Sequence, residues 1–172
     1  METTNPTDVL AQGTFDLLHP GHVHYLEEAA AMGEQLHVIV ATSESVTHKP
    51  KPILPDEQRR TMVAALEPVD HAHRGHPSDF SIPIRRIDPD VLVLGHDQHH
   101  DEDDVRTALE SWGIECEVRR ASGRVPRNGV GKELLSSSAI KSRILELAVE
   151  SEERTRSTER ERHSRRPLER SD

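Results

Sequence analysis

The chain has 172 residues, and 31 Asp and Glu residues outnumber 22 Lys and Arg residues, so its formal net charge is −9. The length suits one domain with one hydrophobic core. The acidic balance argues against a general binder of nucleic acid or anionic membranes, because both need clustered basic residues. A single cysteine excludes a disulfide framework and a cysteine-cluster metal site within one chain. No apolar run is long enough to span a membrane and no signal-peptide layout is visible, so we expect a cytoplasmic protein.

The composition has two further biases. Only four of the 22 basic residues are lysines, and the aromatic residues are Phe15, Tyr25, Phe80 and Trp112 alone. An acidic, lysine-poor chain is typical of a cytosolic protein from a halophile, whose surface carboxylates keep it hydrated in high salt. A GC-rich genome produces the same exchange of Lys for Arg, so the composition leaves both explanations open.

Five apolar runs predict β-strands. The clearest are LHVIVA and DVLVLG, whose nearly continuous β-branched residues and leucines are typical of strands covered on both faces. The predicted strands are residues 8–13, 35–41, 69–73, 90–95 and 114–119.

Helical patterns separate these strands. In the first, Val23, Leu26 and Ala30 share one face of a helix. The other helices are predicted at 55–66, at 78–87 with an interruption at Pro83, from 101–104 to Gly113, and from 136–138 onward. The alternation predicts an α/β fold, a Rossmann-like parallel sheet of about five strands with helices on both faces. Ligands in such folds bind at the carboxyl ends of the strands.

Residues 151–172 differ in composition from the rest of the chain. They hold seven Arg and six acidic residues, and Leu168 is their only large apolar residue. Such a segment cannot bury enough apolar surface to offset the entropy of ordering it. We therefore expect one folded domain over residues 1–150, followed by a frayed helix end and a disordered tail over 151–172.

The sequence QGTFDLLHPGHVHYL, residues 12–26, follows the first predicted strand and leads into the first helix; we call it the signature segment. His19 and His22 flank a Pro-Gly pair where that helix starts. A helix N-terminus presents free N–H groups to a phosphate, and imidazolium groups there can stabilise charge developing on phosphoryl oxygens. Surface histidines in a turn are the alternative, but the strand, loop and helix together favour a phosphate site.

Basic residues between the second strand and the second helix also indicate phosphate chemistry. Lys49 and Lys51 lie in a loop that its prolines stiffen. Arg59 lies on the apolar, inward face of the second helix, so we expect it to contact a ligand. Arg60 has another partner available, because Asp56 precedes it by four residues on the same helix.

A basic stretch follows the last predicted strand, with no acidic residue between Glu117 and Glu133. In so acidic a chain it indicates a site at the carboxyl edge of the sheet. The serines 136–138 then offer hydroxyl and amide groups at the start of the last helix, and Lys141 lies one turn further on. Together these groups could clamp a triphosphate, for which positioning and electrostatics supply most of the catalysis. The basic residues of the stretch are Arg119, Arg120, Arg124, Arg127 and Lys132.

Two histidine-rich stretches raise the question of a transition-metal site. Residues 96–101 read HDQHHD, but adjacent loop residues rarely converge on one ion. The second stretch contains His71, His73 and His76, which we read as alternating residues on a short strand. Solvated side chains are the simpler interpretation there. We therefore expect no metal ligands from the protein. Asp16, inside the signature segment, is expected to cap its own turn.

The signature segment resembles the motif of the cytidylyltransferase-like nucleotidyltransferases, small Rossmann-like enzymes with an HxGH sequence. LLSSSAIKSRI, residues 134–144, is similar to that family's serine-rich turn before a basic helix. PILPDEQRRTMVAALEPVD and PDVLVLGHDQ resemble its archaeal-type FAD synthetase branch, and the likeness extends over residues 8–148. It implies that AMP is transferred from ATP to FMN, giving FAD and pyrophosphate, with a divalent cation, Mg²⁺ foremost.

The resemblance also implies residue roles. His19, His22, Lys51 and Arg59 are expected to act in catalysis, in an in-line attack that needs no protein nucleophile. In the family an acidic residue after the fourth strand contacts the nucleotide, and here that residue is Asp97. A homodimer is compatible with this interpretation. The residues expected to bind nucleotide are Thr14, Phe15, His19, Pro20, Gly21, His22, Asp97, Ser136, Ser137, Ser138 and Lys141.

The chain departs from that branch in two ways. Members of the branch carry two cysteines, as in CxxC, just before the serine run, whereas this chain reads GKELL there and has only the distant Cys116. The chain also offers few aromatic rings as a platform for a flavin. Two other functions stay open, a cytidylyltransferase that makes a CDP-alcohol from CTP and glycerol 3-phosphate, and a nucleotide-binding regulator without turnover. The intact HPGH, Arg59, Asp97 and serine run argue against the regulator.

Overall fold

The structure, a computed structural model, describes residues 7–126 and 133–164. The chain divides into two compact units, Met1–Leu135 and Ser136–Asp172. Across the described parts of the chain, no helix is both long and apolar enough to cross a membrane.

The first unit alternates strands and helices as the sequence predicts. Its five strands form one sheet in the order β3-β2-β1-β4-β5, and every neighbouring pair is parallel. The predicted Rossmann-like α/β fold is therefore confirmed. The elements are β1 (Asp8–Gly13), α1 (Pro20–Ala30), β2 (Gln35–Val40), α2 (Asp56–Ala64), β3 (His71–Arg74), α3 (Ser81–Ile87), β4 (Val91–Leu94), α4 (Glu102–Ser111) and β5 (Glu117–Arg120).

Helices cover both faces of the sheet, so there is a hydrophobic cluster on each face against which strand residues pack. On one face, strand residues such as Val38 and Val93 pack with Leu26 of α1 and Val63 of α2. The opposite face has its own cluster, in which Leu10, Leu92 and Leu94 pack with Ile84 of α3 and Leu109 of α4. This two-faced burial explains why β4 is fully apolar, because successive residues of a strand point to opposite faces.

The strand order fixes where a ligand can bind. After β1 the chain passes to β2 on one side, and β4 pairs with β1 on the other side. The order therefore reverses between β1 and β4, and the crevice at the carboxyl ends of these two strands is the usual ligand site of a doubly wound sheet. The signature segment leaves β1 at this point.

The last strand begins later than expected. Residue 114 was predicted to start it, but Ile114 N–H donates to the carbonyl of Leu109, 3.0 Å away, and so completes the end of α4. Gly113 has a φ of 73°, in the left-handed region that glycine adopts without strain at helix ends. The hydrophobic Ile114 is buried as predicted, but as part of a helix terminus and not of a strand.

The second unit contains one helix, α5 (Ser137–Ser164), which extends further than expected. The Oγ of Ser136 accepts a hydrogen bond from Ala139 N–H at 3.1 Å, so this serine caps the helix. The helix continues through residues 151–164, where pairs such as Arg156–Glu152 join successive turns; the frayed helix end and disordered tail stay a prediction. Residues 165–172 of the expected tail lie outside the described residues.

Three histidines meet on the face of the sheet that α3 and α4 cover. His37 points away from the cluster of Leu36 and Val38, and its Nδ1 lies 3.0 Å from Nε2 of His73. The ring of His71 lies 4.6 Å from that of His37. Burial and then the neighbouring His71 lower the pKa of His37, and burial and then His37 lower that of His73. A neutral pair can share one N–H···N hydrogen bond, whereas two imidazolium rings would repel each other.

Acid should weaken the fold through this cluster. The folded-state pKa values of His37 and His73 lie below 6.5, so the folded chain favours the neutral rings. Their stabilising contribution is present above about pH 6.5 and is lost as the pH falls towards the folded-state values. The urea midpoint should therefore drop between about pH 7.5 and pH 5.5, and the drop should be smaller when both residues are replaced by Gln.

The exposed His48 supplies the control, since His48→Gln should keep the wild-type drop. A double variant that loses as much stability in acid as the wild type would show that other groups cause the effect. The charged and titratable groups that act on the pair are Asp8, Asp70, His71, Arg60 and Arg86.

Candidate active site

The loop between β1 and α1 is strained and tightly packed. Phe15 and Leu17 have φ values of 51° and 54°, in the left-handed region that side chains with a Cβ rarely adopt. Phe15 is nevertheless buried, and its ring lies 5.2 Å from that of His22. A Cβ at Gly13 would lie 2.9 Å from the Phe15 ring, so glycine is required where the loop starts. The surrounding structure must hold this conformation, because it costs free energy locally.

The two histidines of the signature segment lie together at the start of α1. His19 precedes the helix, and its ring stacks on that of His22 with 3.7 Å between centroids. A Cβ on the intervening Gly21 would lie 3.0 Å from Nδ1 of His19 and 3.2 Å from the carbonyl oxygen of Leu135. The glycine therefore lets the histidine pair and a neighbouring backbone approach closely.

Burial keeps both imidazoles neutral near pH 7. Burial, followed by the charges on His19 and Lys49, lowers the pKa of His22 to about 3 against the opposing effect of Asp16. Burial also lowers the pKa of His19, which the carboxylate of Asp97 partly counteracts. The imidazolium groups expected from the sequence are therefore wrong for the ligand-free protein. Neutral imidazoles still donate one N–H each.

Asp16 joins two loops. Its buried carboxylate accepts hydrogen bonds from the backbone N–H of Ile53 at 3.0 Å and of Leu54 at 3.1 Å. These residues belong to the loop between β2 and α2, which carries Lys49 and Lys51. These two partners lie 37 and 38 residues further along the chain, so Asp16 links distant segments, a role that the expected local cap did not include.

Arg59 points inward as predicted, and its side chain is fully buried. All of its N–H groups donate to acceptors within the protein. The guanidinium therefore has none left for the ligand contact that we expected, and it positions the segments around it instead. Acceptors from the signature segment, from the end of β2 and from the β2–α2 loop surround the guanidinium. They are the carbonyls of Thr14, Ala41 and Leu54, the Oγ of Ser43 and the carboxylate of Asp56.

The pair expected between Arg60 and Asp56 does not form. Arg60 binds Glu57, one turn away on α2. Asp56 turns to the loop instead, where its Oδ1 accepts from the N–H of Ser43 at 2.8 Å and from its hydroxyl at 2.6 Å. The pKa of Asp56 is lowered by these hydrogen bonds and by the nearby arginines, against the opposing effect of its burial.

The two lysines of the β2–α2 loop lie on the same edge of the sheet. The exposed Lys51 donates to the carbonyls of Ser43 at 2.7 Å and of Glu44 at 3.3 Å. Lys49 is exposed and close enough to His22 to lower its pKa. Lys49 is thus the lysine of this loop that acts on the histidine pair, whereas the ammonium group of Lys51 is bound to loop carbonyls.

Asp97 occupies the edge predicted for it, directly after β4. Its side chain is exposed, and its charge acts on His19. The neighbouring Gln98 donates from Nε2 to the carbonyl of Gln12 at 2.9 Å, which ties the β4 loop to the end of β1. Arg120 holds the same loop by donating to the carbonyls of Gly95, Gln98 and His100. The supporting role of Gln98 was not predicted, because the residue type alone does not indicate a contact with a distant strand.

The basic stretch after β5 is largely neutralised in the described residues. Arg119 pairs with Glu117 and Arg124 with Glu133, the two acidic residues that bound the stretch. Arg120 pairs with Glu102 of α4. These arginines therefore support the loops and leave a weaker phosphate clamp than the sequence suggested. Arg127 and Lys132 lie outside the described residues.

The remaining expected nucleotide contacts are distributed over both units. In the first, Thr14 is half-buried beside the buried Phe15, Pro20 is exposed and Gly21 is half-buried. In the second, α5 begins in the serine run. The binding roles of Ser136, Ser137, Ser138 and Lys141 stay predictions.

Cys116 lies far from this site. It directly precedes β5 and so lies at the amino end of the parallel sheet, opposite the histidine pair. Burial raises the pKa of its thiol to about 11, so little reactive thiolate is present near pH 7. Within residues 7–126 and 133–164, no three His, Cys, Asp or Glu side chains are grouped so that they could hold a metal ion.

The stacked histidine pair thus lies at a helix N-terminus, at the point where the strand order reverses, which is where phosphate groups bind in many folds of this kind. The fold and this motif belong to the nucleotidyltransferase class. Residues 10–160 match the cytidylyltransferase-like family, and the chain belongs to that family.

Relatives of high identity carry a more specific name. The FAD synthase of Halorubrum lacusprofundi is 66% identical over 139 residues, which cover 81% of this chain and 90% of that protein. The FAD synthase of Haloferax volcanii is 62% identical over 138 residues, which cover 80% of this chain and 96% of that protein. Both organisms are halophilic archaea, in agreement with the acidic, lysine-poor composition.

Solved structures share the fold. A lipopolysaccharide core biosynthesis protein from Thermoplasma volcanium superposes with a TM-score of 0.69 at 33% identity, covering 70% of this chain and all of that one. The pantoate–β-alanine ligase of Francisella tularensis superposes with a TM-score of 0.52 at 13% identity, covering 70% of this chain and 61% of that one. The second likeness concerns the fold alone.

The link made by Asp16 predicts a measurable loss of stability. Asp16→Asn places an amide N–H₂ near two backbone N–H groups and removes the charge that strengthens both hydrogen bonds. The free energy of unfolding from urea titration should fall by about 1–3 kcal/mol. The matched change at the exposed Asp97, Asp97→Asn, should alter it by less than about 0.5 kcal/mol. Equal effects of the two substitutions would contradict the assigned role of Asp16.

Proposed function

We propose that this protein transfers AMP from ATP to FMN and releases pyrophosphate, which makes it an FAD synthase. The stacked His19–His22 pair at the start of α1 is the observation on which the proposal rests. Family membership limits the chemistry to nucleotidyl transfer, and the relatives named FAD synthase at 66% and 62% identity favour FMN as acceptor.

The reaction is one in-line displacement at phosphorus. An oxygen of the FMN phosphate forms a bond to the α-phosphorus of ATP, and the bond from that phosphorus to the bridging oxygen of the β-phosphate breaks. Pyrophosphate leaves with the electron pair. Because the acceptor is already a phosphate anion, the enzyme needs neither a nucleophile of its own nor a general base.

His19 and His22 supply hydrogen-bond donors to the phosphates. The Nδ1 atoms of both rings are buried and, among the described residues, have no hydrogen-bond partner. A proton there would be unsatisfied, so the neutral rings carry it on Nε2. Two Nε2–H groups can then donate to oxygens of the α- and β-phosphates, where charge develops in the transition state. The approach of the triphosphate also favours a proton on either ring, because an opposite charge raises a histidine pKa.

The other expected residues arrange the nucleotide around this pair. Backbone groups of Thr14, Phe15, Pro20 and Gly21 line the loop and helix start that would receive the phosphates, and Asp97 lies on the β4 side for the nucleoside. Lys51 would neutralise phosphate charge from the β2 side. Arg59 acts by holding Thr14 and not by touching substrate. We keep Ser136, Ser137, Ser138 and Lys141 as further triphosphate ligands.

Nucleotidyl transfer generally requires a divalent cation, and we propose Mg²⁺. This ion prefers oxygen ligands, keeps several waters and is bound through substrate phosphates with one or two carboxylates. Among the described residues, no three His, Cys, Asp or Glu side chains could hold the ion by themselves, which fits an ion that is bound through the triphosphate. The ion would be held mainly by phosphate oxygens and water, and it would neutralise charge on the departing pyrophosphate.

We also propose that the protein works in the cytoplasm as a homodimer. Its α5 carries four large apolar side chains within six residues, and a second copy of the same helix would cover them in a symmetric dimer. Sedimentation should then give twice the 19.4 kDa mass of the chain. The four side chains are Ile144, Leu145, Leu147 and Val149.

The protein should form FAD when it is given ATP, FMN and Mg²⁺. Chromatography of the flavins and release of pyrophosphate should report the same rate. CTP should replace ATP poorly, since hydrogen-bonding groups left unpaired by the wrong base discriminate by up to about 10⁴-fold. Turnover of CTP with glycerol 3-phosphate and no formation of FAD would overturn the assignment of donor and acceptor, but not the nucleotidyltransferase class.

The variant His22→Ala tests the role of the histidine pair in the same assay. Loss of one positioned donor should lower kcat by roughly 10²–10³ with the fold intact. Wild-type turnover by this variant would remove His22 from the mechanism.

A further inference from the structure

The flavin ring of FMN needs an apolar or aromatic surface, and this chain has only four aromatic residues to offer. Three of them are either buried or at the opposite edge of the sheet from the histidine pair. Phe15 is 2% exposed beneath the histidine pair. Tyr25 is 8% exposed, and its hydroxyl donates to the carbonyl of Val93 at 2.6 Å. Trp112 ends α4 at the amino side of the sheet, where it packs against the core.

Phe80 differs from these three in both exposure and location. Its side chain is 49% exposed. It lies between the end of β3 at Arg74 and the start of α3 at Ser81, and this connection leaves the carboxyl end of β3. Phe80 is therefore the aromatic side chain that is both accessible and on the edge of the sheet where the histidine pair lies.

Hydrogen bonds fix the backbone on both sides of Phe80. At the start of the connection, Gly75 N–H donates to the carbonyl of Val40 at 2.8 Å, which ties it to the end of β2. Further along, Nδ1 of His76 accepts from Asp79 N–H at 3.0 Å, and the Asp79 carboxylate accepts from Ser81 N–H at 2.9 Å. The ring thus stands on a short, ordered segment, and little conformational entropy would be lost when a ligand stacks on it.

The strand order leaves the β2 and β3 side of β1 for the acceptor, FMN. Asp97 and the β4 loop lie on one side of β1, whereas β2 and β3 lie on the other. Two strand spacings, about 10 Å, separate β1 from β3, a distance comparable to the length of a tricyclic ring system. The exposed Ile53, whose backbone N–H is held by Asp16, adds a second apolar side chain on the β2–α2 loop.

From these observations we propose that Phe80 is the platform on which the isoalloxazine ring of FMN stacks, a specificity determinant that rests on the proposed function. With its phosphate at the histidine pair, FMN extends over β2 towards β3. The ring of Phe80 then contacts the flavin but none of the reacting atoms.

The steady-state constants of Phe80→Ala test the platform. Loss of one stacked ring should raise the KM for FMN by roughly 5- to 150-fold, while the KM for ATP and the kcat at saturating FMN stay near their wild-type values. Phe80→Trp should retain a KM for FMN close to the wild type. Binding of FMN to the wild type should quench flavin fluorescence, and Phe80→Ala should lose most of that quenching.

Met62→Ala is the matched control, because Met62 is 48% exposed on α2 and takes no part in the site. It should leave both KM values unchanged. Wild-type FAD synthesis with an unchanged KM for FMN in Phe80→Ala would overturn the platform alone. A parallel loss of thermal stability and ATP affinity in Phe80→Ala and Phe80→Trp would overturn it too, by showing a structural role. Absence of FAD synthesis by the wild type would overturn the proposed function and the platform together.

Discussion

The buried guanidinium of Arg59 is the contact on which the rest of the site depends. Removing an arginine from water is costly, and here the cost is offset by five donated hydrogen bonds, one of them to the Asp56 carboxylate. The acceptors come from three separate segments, which include Thr14 after β1 and Ala41 after β2. One side chain therefore fixes the ends of two adjacent strands against the first turn of α2.

This fixed frame explains how a strained loop can persist. Phe15 and Leu17 adopt left-handed backbone conformations, and Asp16 between them binds the N–H groups of Ile53 and Leu54. The strained residues lie directly before the histidine pair, in the loop that leads to the start of α1. Neutral donors held in this way require no reorganisation when phosphate charge develops, which is how an electrostatic site lowers a barrier.

Much of this molecule could be predicted from patterns local to the sequence. Strand alternation predicted the parallel sheet, which is confirmed. The spacing of His19 and His22 around Pro-Gly predicted a phosphate site, and the structure stacks the two rings at the switch point. Contacts between distant segments were not predictable in this way. Asp16 binds the N–H of Ile53, 37 residues away, and Arg59 reaches the carbonyl of Thr14, 45 residues away. Arg119 and Arg120 meet acids that flank the basic run or belong to α4. Residue type alone does not distinguish an arginine that binds phosphate from one that binds carbonyls.

A double-mutant cycle between Arg59→Lys and His22→Ala tests the central claim that Arg59 acts by positioning the histidines. Lysine keeps the charge but loses the planar fork, so the folded single variant should turn over about 10²-fold more slowly, with a nearly unchanged KM for ATP. In the His22→Ala background the same substitution should have a much smaller effect, because the group that it positions is already absent. A large rise in the KM for ATP, undiminished by His22→Ala, would instead show that Arg59 contacts the nucleotide directly and would contradict this account.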